Sequence, residues 1–356
     1  PISRIRQWIF GWWKYERRWL LMAWTIGNYA LSQEQMNANA LEVYKYLSAR
    51  GWSLNAIAGL LGNMQSESYV NPGVWQSLQA NNYSGGFGLV QWTPATNYTD
   101  WARQNGYDIA DPNGQLYWID ALSETTGQWI PTSAYNMSWS AFKKSGSSPE
   151  DLASAFLKNF ERAGVEVESN RRSQARSYFN LLGQYGKNAK AVESAVQWAI
   201  GIANDNSHGY DQGSRWGPDY DCSSLLITAY QQAGIKVKDA GATYTGNMYS
   251  AFLACGFEDV TGFVNLSNGS GIKRGDILLN TASHTAMSIG NGKVVQASQN
   301  ELGGATGGQS GDQTGREIWC TNYYNFPWNY VLRLSHSESG GSSGGASAYI
   351  VKWIPG

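Results

Sequence analysis

From Ser32 onward, apolar positions recur at the helical interval. Ser32 with Gln35 has the spacing of a capping box and predicts a helix start. After Ser53, the residues Ile57, Leu60, Leu61 and Met64 fall at i, i+3, i+4 and i+7. That is one face of a helix, which Asn71-Pro72-Gly73 then breaks. Residues 80–94 are rich in Asn, Gly and aromatics and suit a short β excursion with turns. Helical patterning resumes at Asn97 and runs to about Gly183. Within it, Ser148-Pro149-Glu150-Asp151 reads as a helix start, with Pro in the first turn and acids near the N-terminus.

The second half has a different rhythm. Residues 186–190 are polar and predict a short linker. Helices are expected over 191–203 and over 222–233, the second stopped by Gly234. Past Gly275 come short apolar runs split by turns, at 276–280, 285–290, 294–297 and 330–334. Asn291-Gly292 between two of them is a hairpin signal. The fold class is therefore α+β: a mostly helical unit over 32–186, then a mixed α+β unit over 187–335. Residues 336–356 form a Ser/Gly-rich linker with a short apolar tail. Residues 1–31 hold five basic side chains against the single acid Glu16, interleaved with Trp8, Phe10, Trp12, Trp13 and Tyr15. Such a stretch can be a docking arm, an interfacial helix or a signal peptide.

Composition narrows the function classes. The 356 residues suffice for two domains with real cores. A formal net charge of −1 argues against nucleic-acid binding, which depends on neutralising phosphate. The chain's 17 Trp and 21 Tyr offer surfaces for stacking flat ligands such as sugar rings, besides filling cores. Three cysteines and three histidines are too few for a disulfide scaffold or a His-rich zinc site. The loop over 204–211 alternates oxygen side chains, which makes Asp205 and Asp211 weak calcium candidates; it lacks the full pattern of a calcium loop, and no metal or other cofactor is required.

Glu67 continues the apolar stripe that contains Leu60 and Met64. A carboxylate on a buried stripe loses hydration, and its pKa is expected to rise. A carboxylic acid of that kind can protonate a glycosidic leaving oxygen. Glu67 stands in Gly62-Asn63-Met64-Gln65-Ser66-Glu67-Ser68, and Gly85-Gly86-Phe87-Gly88-Leu89-Val90-Gln91-Trp92-Thr93-Pro94 follows. The two motifs in this order resemble the tail-associated lysozyme domain of bacteriophages. The resemblance covers roughly 32–185 and implies Glu67 as general acid. It also implies that Gln91 and Trp92 line a glycan cleft, and Tyr83 beside them is a further sugar-contact candidate. Asp100, Glu124 and Glu161 are the candidates for a second carboxylate, each more naturally a surface or structural residue. A single essential acid also suits a lytic transglycosylase.

Cys222 follows Asp219 and Asp221, two possible caps, and so falls at a helix N-terminus. The helix dipole and free N–H groups there favour a thiolate. His284 opens a predicted strand just after Arg274-Gly275-Asp276. Asp-Cys-Ser on a helix, a Gly-Asp strand, Ser-His, and a polar residue twelve further on resemble the NlpC-type peptidoglycan cysteine peptidases and amidases, whose fold is papain-like. The resemblance covers roughly 190–335. It implies Cys222 as nucleophile, His284 as general base and Gln296 as the orienting third member, with Trp216 near the substrate. Ser224 stands where many relatives carry Gly, and Gln296 brings no charge. A strict two-residue Asn291-Gly292 turn would place Gln296 on the opposite face from His284, whereas a bulge or longer loop would restore a common face; Gln299 and Asn300 are the alternatives.

Together these resemblances imply a bifunctional peptidoglycan hydrolase of a phage tail. It would act on the host wall outside the membrane and be held to other tail proteins by the N-terminal arm. A wall-remodelling hydrolase of a conjugative element, a free endolysin and an inactive wall-binding module are the alternatives.

Overall fold

The computed structural model describes residues 24–162 and 167–334. The aromatic arm, apart from its last residues, and the Ser/Gly-rich tail lie outside the described residues. The chain divides into two compact units at Gly186/Lys187.

The first unit is helical. Helix α1 (Gln33–Ser48) starts with the capping box expected at Ser32: its Oγ accepts from Gln35 N–H, and Gln35 Oε1 accepts from Ser32 N–H. Helix α2 (Leu54–Ser68) is capped by Ser53 and ends on Tyr69 in the left-handed region. Then follow α3 (Thr96–Gln104), α4 (Pro112–Tyr117), α5 (Trp139–Lys144) and α6 (Pro149–Phe156), with π-type turns extending α4 and α6. The stripe Ile57, Leu60, Leu61 and Met64 is fully buried in one core with Trp139, Phe142, Phe156 and Phe160. The β excursion expected at 80–94 amounts to isolated bridges, Trp75 to Phe87 and Phe87 to Trp92.

The polar linker expected at 186–190 is instead part of one long helix, α7 (Glu168–Ala203). Of its five residues only one is glycine, and Lys, Asn and Ala tolerate a helix well enough for it to run through.

In the second unit, α8 (Cys222–Gln232) and α9 (Thr245–Ala254) precede an antiparallel sheet. Its strands are β1 (Phe257–Asp259), β2 (Ile277–Asn280), β3 (His284–Gly290), β4 (Lys293–Ala297), β5 (Ile318–Asn322) and β6 (Tyr330–Leu334). Their spatial order is β1-β6-β2-β3-β4-β5. One sheet face packs Ile277, Leu279, Met287 and Val295 against α8 and α9. The other packs Leu278, Ala286 and Val294 against Trp328. Among the described residues, no helix is long and apolar enough to cross a membrane.

Candidate functional site

Glu67 sits in the last turn of α2, one turn beyond buried Met64. Its side chain is mostly covered but not fully buried, and its Oε1 accepts a hydrogen bond from Arg171 Nη2 at 2.6 Å. Arg171 comes from α7 and also donates through Nη1 to Asn63 Oδ1 at 3.1 Å. Gly62 makes this approach possible, because a Cβ there would meet the Arg171 carbonyl oxygen at 2.4 Å. Glu161, at the end of the turn after α6, is partly covered like Glu67 but turns one carboxyl oxygen inward. Glu161 Oε1 is shut off from solvent and has no hydrogen-bond partner among the described residues. Burial first, and the Glu67 carboxylate second, push the Glu161 carboxyl well above its ordinary range, against the pull of Arg171 and Arg162. Asp100, paired with Arg103, and Glu124 are exposed and take no part in this group.

The expected cleft lining needs correction. Trp92 is 2% exposed and stacks on Tyr98 with ring centroids 4.4 Å apart, so its faces are held in the core. Gln91 donates to the Val74 and Gly88 carbonyls and ties its own loop together. Tyr83 is half-buried, packs edge-on against Trp75, and accepts from Arg103 Nη2 at 2.6 Å.

Cys222 is the first residue of α8, and Asp221 caps that helix by accepting from Ser224 N–H at 2.7 Å. Ser224 returns the contact, its Oγ accepting from Asp221 N–H at 2.9 Å, which gives this serine a use that glycine could not fill. Cys222 is 6% exposed. The N–H groups of Thr285 and Ser223 point to its sulfur, so the thiol lies beside the start of β3. The expected lowering of its pKa is reversed. Burial, then the Asp221 carboxylate, pushes the thiol up to about 11, outweighing those N–H groups and Arg215.

His284 opens β3, and its Nε2 lies 2.8 Å from Gln296 Oε1. The common face comes from a β-bulge. Met287 pairs with Val295 and Ser288 with Val294, but Gly290 pairs with Lys293, leaving Ile289 as the extra residue. Asn291 and Gly292 both have positive φ, as a two-residue type I′ turn requires. An amide oxygen has no proton to give, so Nε2 carries the hydrogen and Nδ1 is the basic nitrogen. Burial lowers the His284 pKa, against the raising effect of that hydrogen bond, and keeps the imidazole neutral. Tyr324 also donates its hydroxyl to Gln296 Oε1, in a very short contact. Burial pushes that phenol up to about 12, so it stays a donor. Asn300 is occupied by its own loop, and Gln299 is exposed.

Residues 38–182 match the phage tail lysozyme family. Residues 217–295 and 294–342 match an endolysin-like domain. Morphogenesis protein 1 of Bacillus phage B103 is 42% identical over 177 residues, which is 50% of this chain and 47% of that protein. The chain thus spans about half the length of that relative.

Arg171, Tyr324 and Arg215 were not read from sequence. Arg171 is 104 residues from Glu67 and Tyr324 is 28 from Gln296, and neither carries a local signal. Asp205 and Asp211 each accept from a backbone N–H in their own turns, those of Ser207 and Gly213. Among the described residues, no group of three or more His, Cys, Asp or Glu could hold a metal ion.

Proposed function

We propose that the chain is a peptidoglycan hydrolase of a phage particle with two activities, one on the glycan strand and one on a peptide or amide bond. The glycan-cutting half is supported by the tail lysozyme match and by Glu67 with Arg171 and Glu161 around it. The observation that carries the second half is the His284–Gln296 hydrogen bond beside a cysteine at a helix start. The papain-like, NlpC-type chemistry is part of this proposal, as is attachment to other tail proteins through the N-terminal arm. No metal or other cofactor enters it.

The resting pair is a neutral thiol and a neutral imidazole. As Cys222 Sγ attacks the amide carbonyl, its proton passes to His284 Nδ1. Gln296 holds Nε2–H throughout and keeps the ring aimed. The Cys222 N–H at the start of α8 is the donor offered to the oxyanion of the tetrahedral intermediate. Collapse breaks the C–N bond, and the amine leaves with the proton from His284. Water, deprotonated by His284, then hydrolyses the thioester. In the first unit, Glu67 in its acid form protonates the glycosidic oxygen as the C–O bond breaks, and water forms the new C–O bond at the anomeric carbon and returns a proton to Glu67.

Mass spectrometry of fragments released from purified peptidoglycan tests the reading. Glu67→Gln is expected to remove new sugar ends only, and Cys222→Ala new peptide ends only, each with a loss of at least about 10³-fold. Anhydro-sugar ends would make the first activity a transglycosylase. If the wild-type chain released nothing from any wall tested, the enzymatic reading would fall.

A further inference from the structure

Beside the cysteine site lies a cation whose charge the rest of the unit does not use. Arg215 spans the start of α8: its Nε is ion-paired with Asp221 Oδ2 at 2.9 Å, and its Nη2 donates to Ser223 Oγ and to the Thr243 carbonyl. Its guanidinium carbon is 5.1 Å from the ring centre of Trp216, and Trp216 in turn bridges to Tyr220. The indole is therefore fixed next to the residues that flank Cys222. It is nevertheless 38% exposed, and Tyr244, next to Thr243, is 55% exposed. Over the same indole sits the Lys238 ammonium, 3.8 Å from the ring centre. Arg215 has its carboxylate in Asp221, and Lys236 is paired with Asp239. Lys238 has no carboxylate within ion-pair distance among the described residues; its ammonium is held by the ring alone.

A lysine anchored on an exposed indole is pre-organised and keeps donors free on its outer side. We infer that Lys238 on Trp216 is a subsite for a carboxylate of the substrate peptide, adjoining the bond that Cys222 attacks. A carboxylate fits better than a bulky polyanion, because one ammonium is available and the neighbouring guanidinium is already neutralised. The inference rests on the cysteine-hydrolase reading and adds a preference for acidic over amidated peptides.

The test compares two stem tetrapeptides, one with its glutamyl α-carboxylate free and one with that group as carboxamide. Turnover is measured on the full-length wild-type, Lys238→Met and Lys238→Arg chains. Binding is measured by calorimetry on Cys222→Ala with and without Lys238→Met. Wild type is expected to prefer the acid by about three- to fivefold in kcat/KM, through KM, which is the reach of an exposed ion pair. Lys238→Met is expected to bring the two peptides to the same value, and Lys238→Arg to restore the preference. Turnover of both peptides with no preference, or a preference that survives Lys238→Met, overturns the subsite and leaves the hydrolase reading standing. Selective binding of the acid without turnover of either peptide overturns the hydrolase reading and leaves the subsite. Neither turnover nor binding overturns both.

Discussion

Around Glu67 the polar groups centre on an ion pair and come from three separate stretches of chain. Arg171 reaches across Gly62 to both Asn63 and Glu67, and the same cation acts through its field on the Glu161 carboxyl. Around His284 they are neutral: an imidazole, an amide and a phenol linked through one oxygen, Gln296 Oε1. The difference predicts different failures. Removing one member of a charged group leaves a partly buried charge uncompensated, so stability suffers along with activity. Removing one member of the neutral chain leaves a dipole short of one partner, so orientation suffers and the fold survives.

The largest expected effect breaks the charged side. Arg171→Met leaves Glu67 and Asn63 without their shared donor and removes the cation beside Glu161. Because Arg171 and Glu67 are both mostly covered, the loss is expected to be about 3 kcal/mol. Denaturant unfolding of the full chain, followed by the near-ultraviolet signal of the Trp129 and Trp139 cluster, measures it. A change below about 1 kcal/mol would mean that the pair behaves like an ordinary surface contact.

Glu161→Gln sharpens the comparison through pH. The folded chain holds a proton on Glu161 that the unfolded chain, titrating near 4.5, has already released. Such a group stabilises the fold fully below 4.5, and that contribution is lost as pH rises toward its folded value. Glutamine keeps the shape without the titration. Measured as Tm against pH, the variant is expected to gain on the wild type from pH 5 upward, with a slope of at most about 1.4 kcal/mol per pH unit. Parallel curves would show that Glu161 titrates as an ordinary carboxyl. The His284 side runs the other way: its lowered pKa withholds a proton that the unfolded chain binds near 6.5, so this group costs stability as pH falls below that value.

Which parts could be read from the sequence follows the same division. Caps and turns are local, so the starts at Ser32, Ser53 and Ser148, the helix beginning at Cys222 and the Asn291-Gly292 turn were all readable. The face that Gln296 occupies was not, because it depends on one bulged residue, Ile289, whose effect on register shows only once β3 and β4 are paired. The thiol misled for a related reason. The helix start that favours a thiolate is visible locally, but the burial that outweighs it comes from the packing of distant segments. Trp92 misled because an aromatic after a Gly-rich turn serves a core as readily as a cleft, and only the stacking on Tyr98 decides. Strand β1 carries one apolar residue, Phe257, and so does not stand out; the sheet recruits it through β6.

The smallest expected effect tests the neutral side. Tyr324→Phe keeps the ring against Phe326 and Trp328 and removes only the hydroxyl that donates to Gln296 Oε1. The oxygen keeps its bond from His284, but the amide loses the second donor that fixes its plane. One neutral hydrogen bond is worth about 1 kcal/mol, so kcat of the proposed peptide-cleaving activity is expected to fall about fivefold. KM should hold, because the phenol acts through Gln296 on the imidazole and does not position the peptide. The direction of the pH shift separates this role from simple packing. The Gln296 bond raises the His284 pKa, so a looser amide lets it fall further, and the acid limb of kcat against pH moves to lower pH. A fivefold loss with an unmoved acid limb would place Tyr324 in the packing of the site, and an unchanged kcat would make its hydroxyl a bystander to the His284–Gln296 bond.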